Sequence, residues 1–141
     1  MAEIRHMLLI DAPVEVVYRA VTEQEGLAAW WTRETIASPE VGATLQFKFG
    51  DRYLDKMNVL ALDPNRLVEW ECFEGDEQWV GTRFEFALEK QGDQTLLRFV
   101  HTGWRDMTDF FAHCNYQWGY YLGSLKRFCE TGTGTPFEYQ A

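Results

Sequence analysis

The stretch TDFFAHCNYQWGYYLGSLKRFCETG, Thr108 to Gly132, contains no proline. Trp118, Leu122, Leu125 and Cys129 stand at i, i+4, i+7 and i+11 within it, flanked by Tyr121 and Phe128. That spacing puts them on one face of a helix, and Gly132 fits the left-handed residue that ends one. At a rise of 1.5 Å per residue the helix is about 35 Å long, enough to cross several strands. Such an apolar face needs a broad apolar surface to lie on.

The preceding sequence supplies that surface. TLQFKF places Leu45, Phe47 and Phe49 on one face, and KMNVLAL runs into the turn DPNR. LVEWEC sets Val68, Trp70 and Cys72 against Glu69 and Glu71. WVGTRFEFAL sets Phe84, Phe86 and Leu88 against Arg83 and Glu85, and TLLRFVHTGW brings Leu97, Phe99 and His101 to one side. Period-two alternation with short links, here EGDEQ and KQGDQ, predicts antiparallel strands with one apolar face.

Toward the N-terminus, EIRHMLLI reads as a strand. DAPVEVVYRAV opens a helix with Pro13 in its first turn and a Val14, Val17, Tyr18, Val21 stripe. TEQE, Thr22 to Glu25, has the spacing of a capping box, which predicts a second short helix carrying Leu27, Trp30 and Trp31. Residues 32–43, with Pro39 and Gly42, read as a loop, and residues 132–141 as a tail. The prediction is an α+β fold in one domain, residues 1–141. A curved antiparallel sheet of about six strands has two short helices after its first strand, and the long helix crosses its concave face. A helix across a concave sheet need not fill the space beneath it, and any chemistry is expected in that space.

Bulk properties narrow the function. The 141 residues carry 13 Lys+Arg against 22 Asp+Glu, a net charge of −9, which disfavours phosphate-backbone binding and adsorption to anionic membranes. The N-terminal segment MAEIRHMLLID has neither the long apolar run of a membrane span nor the features of a signal peptide. Cys72, Cys114 and Cys129 form no CxxC pair and read as reduced thiols of a cytoplasmic protein. The cysteines with His6, His101 and His113 show no metal-ligand spacing. Ser124 lies within a helix outside any nucleophile elbow, and TGTGTP follows a helix instead of opening one, so it is not a phosphate loop.

The segments IDAPVEVVYRAVTEQEGLAAWW, DPNRLVEW, RFVHTGW and QWGYYLGSLKRFCETG resemble the AHSA1-like family (activator of Hsp90 ATPase homologue 1-like) of the START/Bet v 1-like (SRPBCC) superfamily. The likeness spans Ile4 to Gly132. It implies a helix-grip fold with an internal cavity between sheet and C-terminal helix. It also places the Trp30–Trp31 pair near the cavity mouth, one ring sealing the core and the other lining the entrance. Trp70 comes one residue earlier than the family pattern places it, which leaves the register of that strand open. The extra N-terminal domain of the eukaryotic co-chaperones is missing from the sequence, which turns the expectation away from a direct Hsp90 role.

The aromatic set either lines a cavity or fills a core. His101 has three readings: a polar contact for a ligand, a general base, or a structural histidine bonded to a backbone carbonyl. Phe110 and Phe111 form either a lid or the anchor of the helix start. The expected function is binding of a small hydrophobic or aromatic molecule. Trp31, Phe47, Phe49, Trp70, Phe84, Phe86, Phe99, His101, Trp118, Tyr121 and Leu122 are its expected lining. No catalytic residue, cofactor, metal, nucleic acid or membrane insertion is expected; a protein partner and the oligomeric state are left open. The alternatives are a cyclase or dehydratase using His101 and a co-chaperone-like interaction module.

Overall fold

A computed structural model describes residues 2–138. The elements run β1 (Ala2–Ile10), α1 (Val14–Ala20), α2 (Gln24–Trp30), β2 (Glu34–Ile36), β3 (Thr44–Phe49), β4 (Tyr53–Asp63), β5 (Leu67–Glu74), β6 (Arg83–Gln91), β7 (Gln94–Trp104) and α3 (Asp109–Thr131). The strands form one seven-stranded sheet in the order β1-β7-β6-β5-β4-β3-β2, and every pairing is antiparallel. This is an α+β helix-grip architecture, with two short helices after the first strand and a long C-terminal one.

Two expectations about local structure are corrected. The loop expected over residues 32–43 contains β2, which adds a seventh strand by pairing Glu34–Ile36 with Gln46–Lys48 of β3. The capping box is absent. Glu23 is the N-cap of α2, with no side-chain cap bond, and Thr22 Oγ1 instead donates to the Tyr18 carbonyl at 2.8 Å. A hydroxyl one turn past Tyr18 reaches the second lone pair of that carbonyl, beside the Val21 N–H bond, before it meets the N–H groups of α2.

The register of β5 is regular against β6, with Trp70 opposite Phe84 and Val68 opposite Phe86. Val68, Trp70 and Cys72 are all buried. On its other side β5 meets β4 with shifts at Lys56/Met57 and Val59/Ala61. Bulges of this kind bend a strand and sharpen its twist, which makes the sheet concave at β4.

Helix α3 is closed at both ends. Thr108 Oγ1 accepts from the Phe111 N–H at 3.2 Å, and Gly132, at φ 87°, donates its N–H to the Phe128 carbonyl. Its stripe Phe111, Cys114, Trp118, Leu122 and Leu125 is buried against the sheet. Of the expected tail, residues 133–138 double back along α2 and α3. Thr135 N–H donates to Ser124 Oγ, and Phe137 bonds through its backbone to Trp31 and Arg33. A Cβ at Gly134 would collide with the Ala29 carbonyl and Ser124 Oγ, so only glycine lets the chain pass between the two helices. Residues 139–141 of that tail lie outside the described residues. Among the described residues no helix is long and apolar enough to cross a membrane.

Candidate functional site

The concave face is filled unevenly. Beneath the middle of α3 the rings of β5, β6 and β7 close the interior: Trp118 lies 4.3 Å from Phe99, and Trp70 lies 5.0 Å from Phe86 between ring centroids. Toward the β3–β4 hairpin the sheet and helix diverge and leave a cavity of about 740 Å³. That lies within the range of roughly 300–1,000 Å³ usual for small-molecule sites. The β3–β4 hairpin, the β5–β6 connection, the N-terminal half of α3 and the segment after it each contribute wall.

Of the aromatic residues expected to line a cavity, Trp31, Phe49, Trp118 and Tyr121 stand on this wall. Phe47, Trp70, Phe84, Phe86, Phe99, His101 and Leu122 do not; they are buried behind it as core. The reason is the crossing of α3, which sets Trp118 down on β6 and β7 and leaves no gap there. Phe110 and Phe111 stand in different places. Phe110 is on the wall, whereas Phe111 packs edge-on against Trp104 at 5.0 Å and anchors the helix start.

The two adjacent tryptophans are both buried: one seals the core as expected, and the other lies on the cavity floor instead of at its entrance. Trp30 is sealed by Phe86 and donates its indole N–H to the Ala20 carbonyl at 2.8 Å. Trp31 is 2% exposed. It stacks on Trp30 and Trp70 and lies 5.0 Å from Trp118, so it is at once core and cavity floor.

His101 is bonded to two side chains and not to a backbone carbonyl. Trp118 Nε1–H donates to its Nδ1 at 3.2 Å, so the ring proton sits on Nε2 and is donated to Thr82 Oγ1 at 2.8 Å. Thr82 in turn donates to the Trp79 carbonyl. Burial holds the imidazole pKa well below its ordinary value, so the ring is neutral near pH 7. A neutral ring with both nitrogens engaged behind the wall fixes Trp118 and the β5–β6 connection in place.

Sequence reading missed the polar part of the wall. Asp55, Asp76, Trp79, Gln117 and Phe137 all line the cavity. Asp55 is the telling one. It follows the inward alternation of Asp55, Met57 and Val59 on β4 and is 4% exposed. Its Oδ1 has no hydrogen-bond partner among the described residues. Burial, and then the Asp76 carboxylate, push its pKa up to about 7 against the opposing pull of the Asp76 N–H. The available signal was the period of two carried back from Met57, which turns an apparent loop aspartate into an inward one. Nearby, the Trp79 indole N–H meets only the Cys114 sulfur, a weak acceptor. Burial raises the Cys72 and Cys114 thiols to about 12, so neither supplies a thiolate near neutrality. No group of three potential metal-binding side chains occurs among the described residues.

An antiparallel sheet gripping a long helix above an aromatic cavity defines a helix-grip protein. Residues 11–130 match the family model described as "Activator of Hsp90 ATPase homolog 1-like protein", and the chain belongs to that family. It is similar to the Aha1 dimer of Colwellia psychrerythraea, with 40% identity over 95% of this chain and 100% of that one, at a TM-score of 0.86. Protein MLL2253 of Mesorhizobium loti shares the fold at 21% identity and a TM-score of 0.79, covering 89% and 95% of the two chains. CalU16 of Micromonospora echinospora shares it at 20% identity and a TM-score of 0.77, covering 94% and 76%. No curated protein matches the chain at a significant level.

Proposed function

We propose that this protein binds a small apolar or aromatic molecule in the cavity beneath α3 and holds it without transforming it. The observation that carries this reading is the space of about 740 Å³ walled by Trp31, Phe49, Trp118 and Tyr121. A packed interior leaves few voids larger than a water molecule, and aromatic walls with a few polar groups suit a ligand of that character. The free thiols Cys72, Cys114 and Cys129 fit work in a reducing compartment, the cytoplasm.

The test is titration with N-phenyl-1-naphthylamine, a neutral dye that brightens in apolar surroundings. Saturable binding of one dye per chain is expected. Phe49→Glu, on the wall, weakens it by about tenfold or more through an unpaired buried charge. Ile36→Glu, at an exposed position away from the cavity, leaves it unchanged. Folded protein without saturable binding would sink the reading. Self-association is a second reading, favoured by the 40% identical relative solved as a dimer; sedimentation equilibrium showing only monomer would dismiss it.

A further inference from the structure

Asp55 occupies an inward position of β4 between the rings of the cavity and the β5–β6 connection. A buried carboxyl group with one oxygen, Oδ1, left without a hydrogen-bond partner is costly, and an apolar residue there would cost less. The backbone is built around it. Gly75, at φ 146°, lies so close to Asp55 Oδ1 that any Cβ there would collide with it. The rest of the cavity has the same electrostatic sense. Asp51, Asp76 and Glu138 join Asp55 on the wall, against the single guanidinium of Arg52, and Glu138 is paired outward with Arg33 at 2.9 Å. Aromatic faces add negative potential of their own, and Trp31, Trp79, Trp118 and Tyr121 surround the same volume.

We propose that the cavity is a site for an organic cation: an aromatic or apolar body carrying one protonated amine, with the ammonium group on Asp55 and the body against Trp31, Trp118 and Tyr121. This rests on the reading of the cavity as a ligand site and names the ligand's chemistry. A neutral apolar ligand would bring no counter-charge to Asp55, whereas an anion would meet carboxylates and ring faces. An ammonium at the cavity face of Asp55 neutralises its carboxylate and lies against the rings, where a desolvated cation is held by their quadrupoles. The net charge of −9 draws such a ligand in.

Protonation of Asp55 follows from its surroundings. Asp76 faces it from the β5–β6 connection, Cys72 from β5, and Cys114 from α3. Arg52, Asp51 and His113 share its cavity, and Lys56, next in β4, is paired with Glu74 at 3.1 Å. The acid titrates at about 7, so affinity for the cation rises as pH passes upward through neutrality, and the bound cation in turn lowers the Asp55 pKa.

The experiment uses a matched pair, naphthylethylammonium and naphthylethanol, by calorimetry on the full chain. At about pH 8 the ammonium is expected to bind at least about tenfold tighter, and the preference narrows at about pH 5.5, where Asp55 holds a proton. Asp55→Asn loses the preference and keeps the alcohol. If that variant fails to fold, carbon-detected titration of the wild-type carboxyl answers the same question: saturating ammonium lowers its midpoint by about one unit for a tenfold preference. Equal affinities at the higher pH, or an unmoved midpoint, would overturn the cation assignment. If naphthylethanol still binds in that case, the cavity reading stands. Binding of neither compound, nor of the neutral dye, overturns both.

Discussion

Asp55 and His101 are buried titratable groups whose effects on stability run in opposite directions. The native Asp55 keeps its proton up to about pH 7, while the unfolded chain releases it near 3.8. Between those values the native state binds more protons, so stability falls as pH rises and the loss is complete above the native value. His101 works the other way. Its native pKa is depressed from 6.5, so below that pH the unfolded chain takes up a proton that the native ring refuses, and stability falls as pH falls. Over the shared window the two slopes oppose each other. Asp55→Asn should expose the His101 slope and stabilise the protein at about pH 8 by up to roughly 3–4 kcal/mol, a gain that vanishes by about pH 4. Urea denaturation across that range checks it, and a gain independent of pH would show that Asp55 is not the buried acid. The tryptophan pair offers a second separation. Trp30→Ala and Trp31→Ala should each cost about 3–5 kcal/mol, since both rings are buried. Only Trp31→Ala should also abolish dye binding in the refolded protein, because only Trp31 reaches the cavity. Equal binding by the two folded variants would deny Trp31 its place on the floor.

Helix α3 joins the packed half of the molecule to the hollow half. Its C-terminal stripe is core, with Leu122 1% and Leu125 0% exposed, and Leu122→Ala should cost about 2–5 kcal/mol in a denaturant titration. A cost below about 1 kcal/mol would mean that the helix does not clamp the sheet. This element was legible because the Trp118, Leu122, Leu125 spacing, an uninterrupted run and a terminal glycine agree. Strands β5, β6 and β7 were legible for a similar reason, since each alternates apolar and charged residues over several positions. β2 was not. Three residues, Glu34–Ile36, are too few to show a period, and pairing with β3 makes them a strand. The start of β4 was hidden because Tyr53 and Leu54 are exposed and Asp55 looks like a solvated charge. Nor does periodicity tell a wall from a core: Phe47 and Phe49 share one face of β3, yet only Phe49 reaches the cavity. The crossing of α3 decides that, and no local pattern encodes it. The returning segment after Gly132 was equally hidden, because its place depends on Gly134 fitting between α2 and α3. Phe137→Ala removes the ring 5.6 Å from Phe49. It should weaken dye binding several-fold while costing less than about 2 kcal/mol of stability, since that ring is only half-buried.

Across the whole molecule, sheet and helix are tightly joined at one end and spread at the other. Stability should follow the same division. Phe84, Phe86, Phe99, Trp70 and Trp118 interlock beneath α3, whereas the β3–β4 hairpin has cavity behind it and exposed residues Asp51 to Leu54 at its tip. Amide groups open with free energies that track local burial, from near zero at loosely packed segments to the global value in the core. Amides of β6 and β7 should therefore exchange slowest, and those of β2, the β3–β4 tip and residues 133–138 much faster. A ligand that binds only the native state adds about 2.7 kcal/mol at a hundredfold excess over its Kd. That increment should slow global unfolding everywhere, with an additional slowing confined to the segments that touch it. Hydrogen exchange followed by mass spectrometry, with and without saturating naphthylethylammonium, reads both effects. The extra protection is expected at Phe49–Asp55, Asp76–Trp79, the first three turns of α3 and Phe137. It should be absent from β1 and the β6–β7 turn, which lie away from the cavity. If the added protection were uniform, or centred on β1, the molecule would be holding its ligand somewhere other than the hollow end beneath α3.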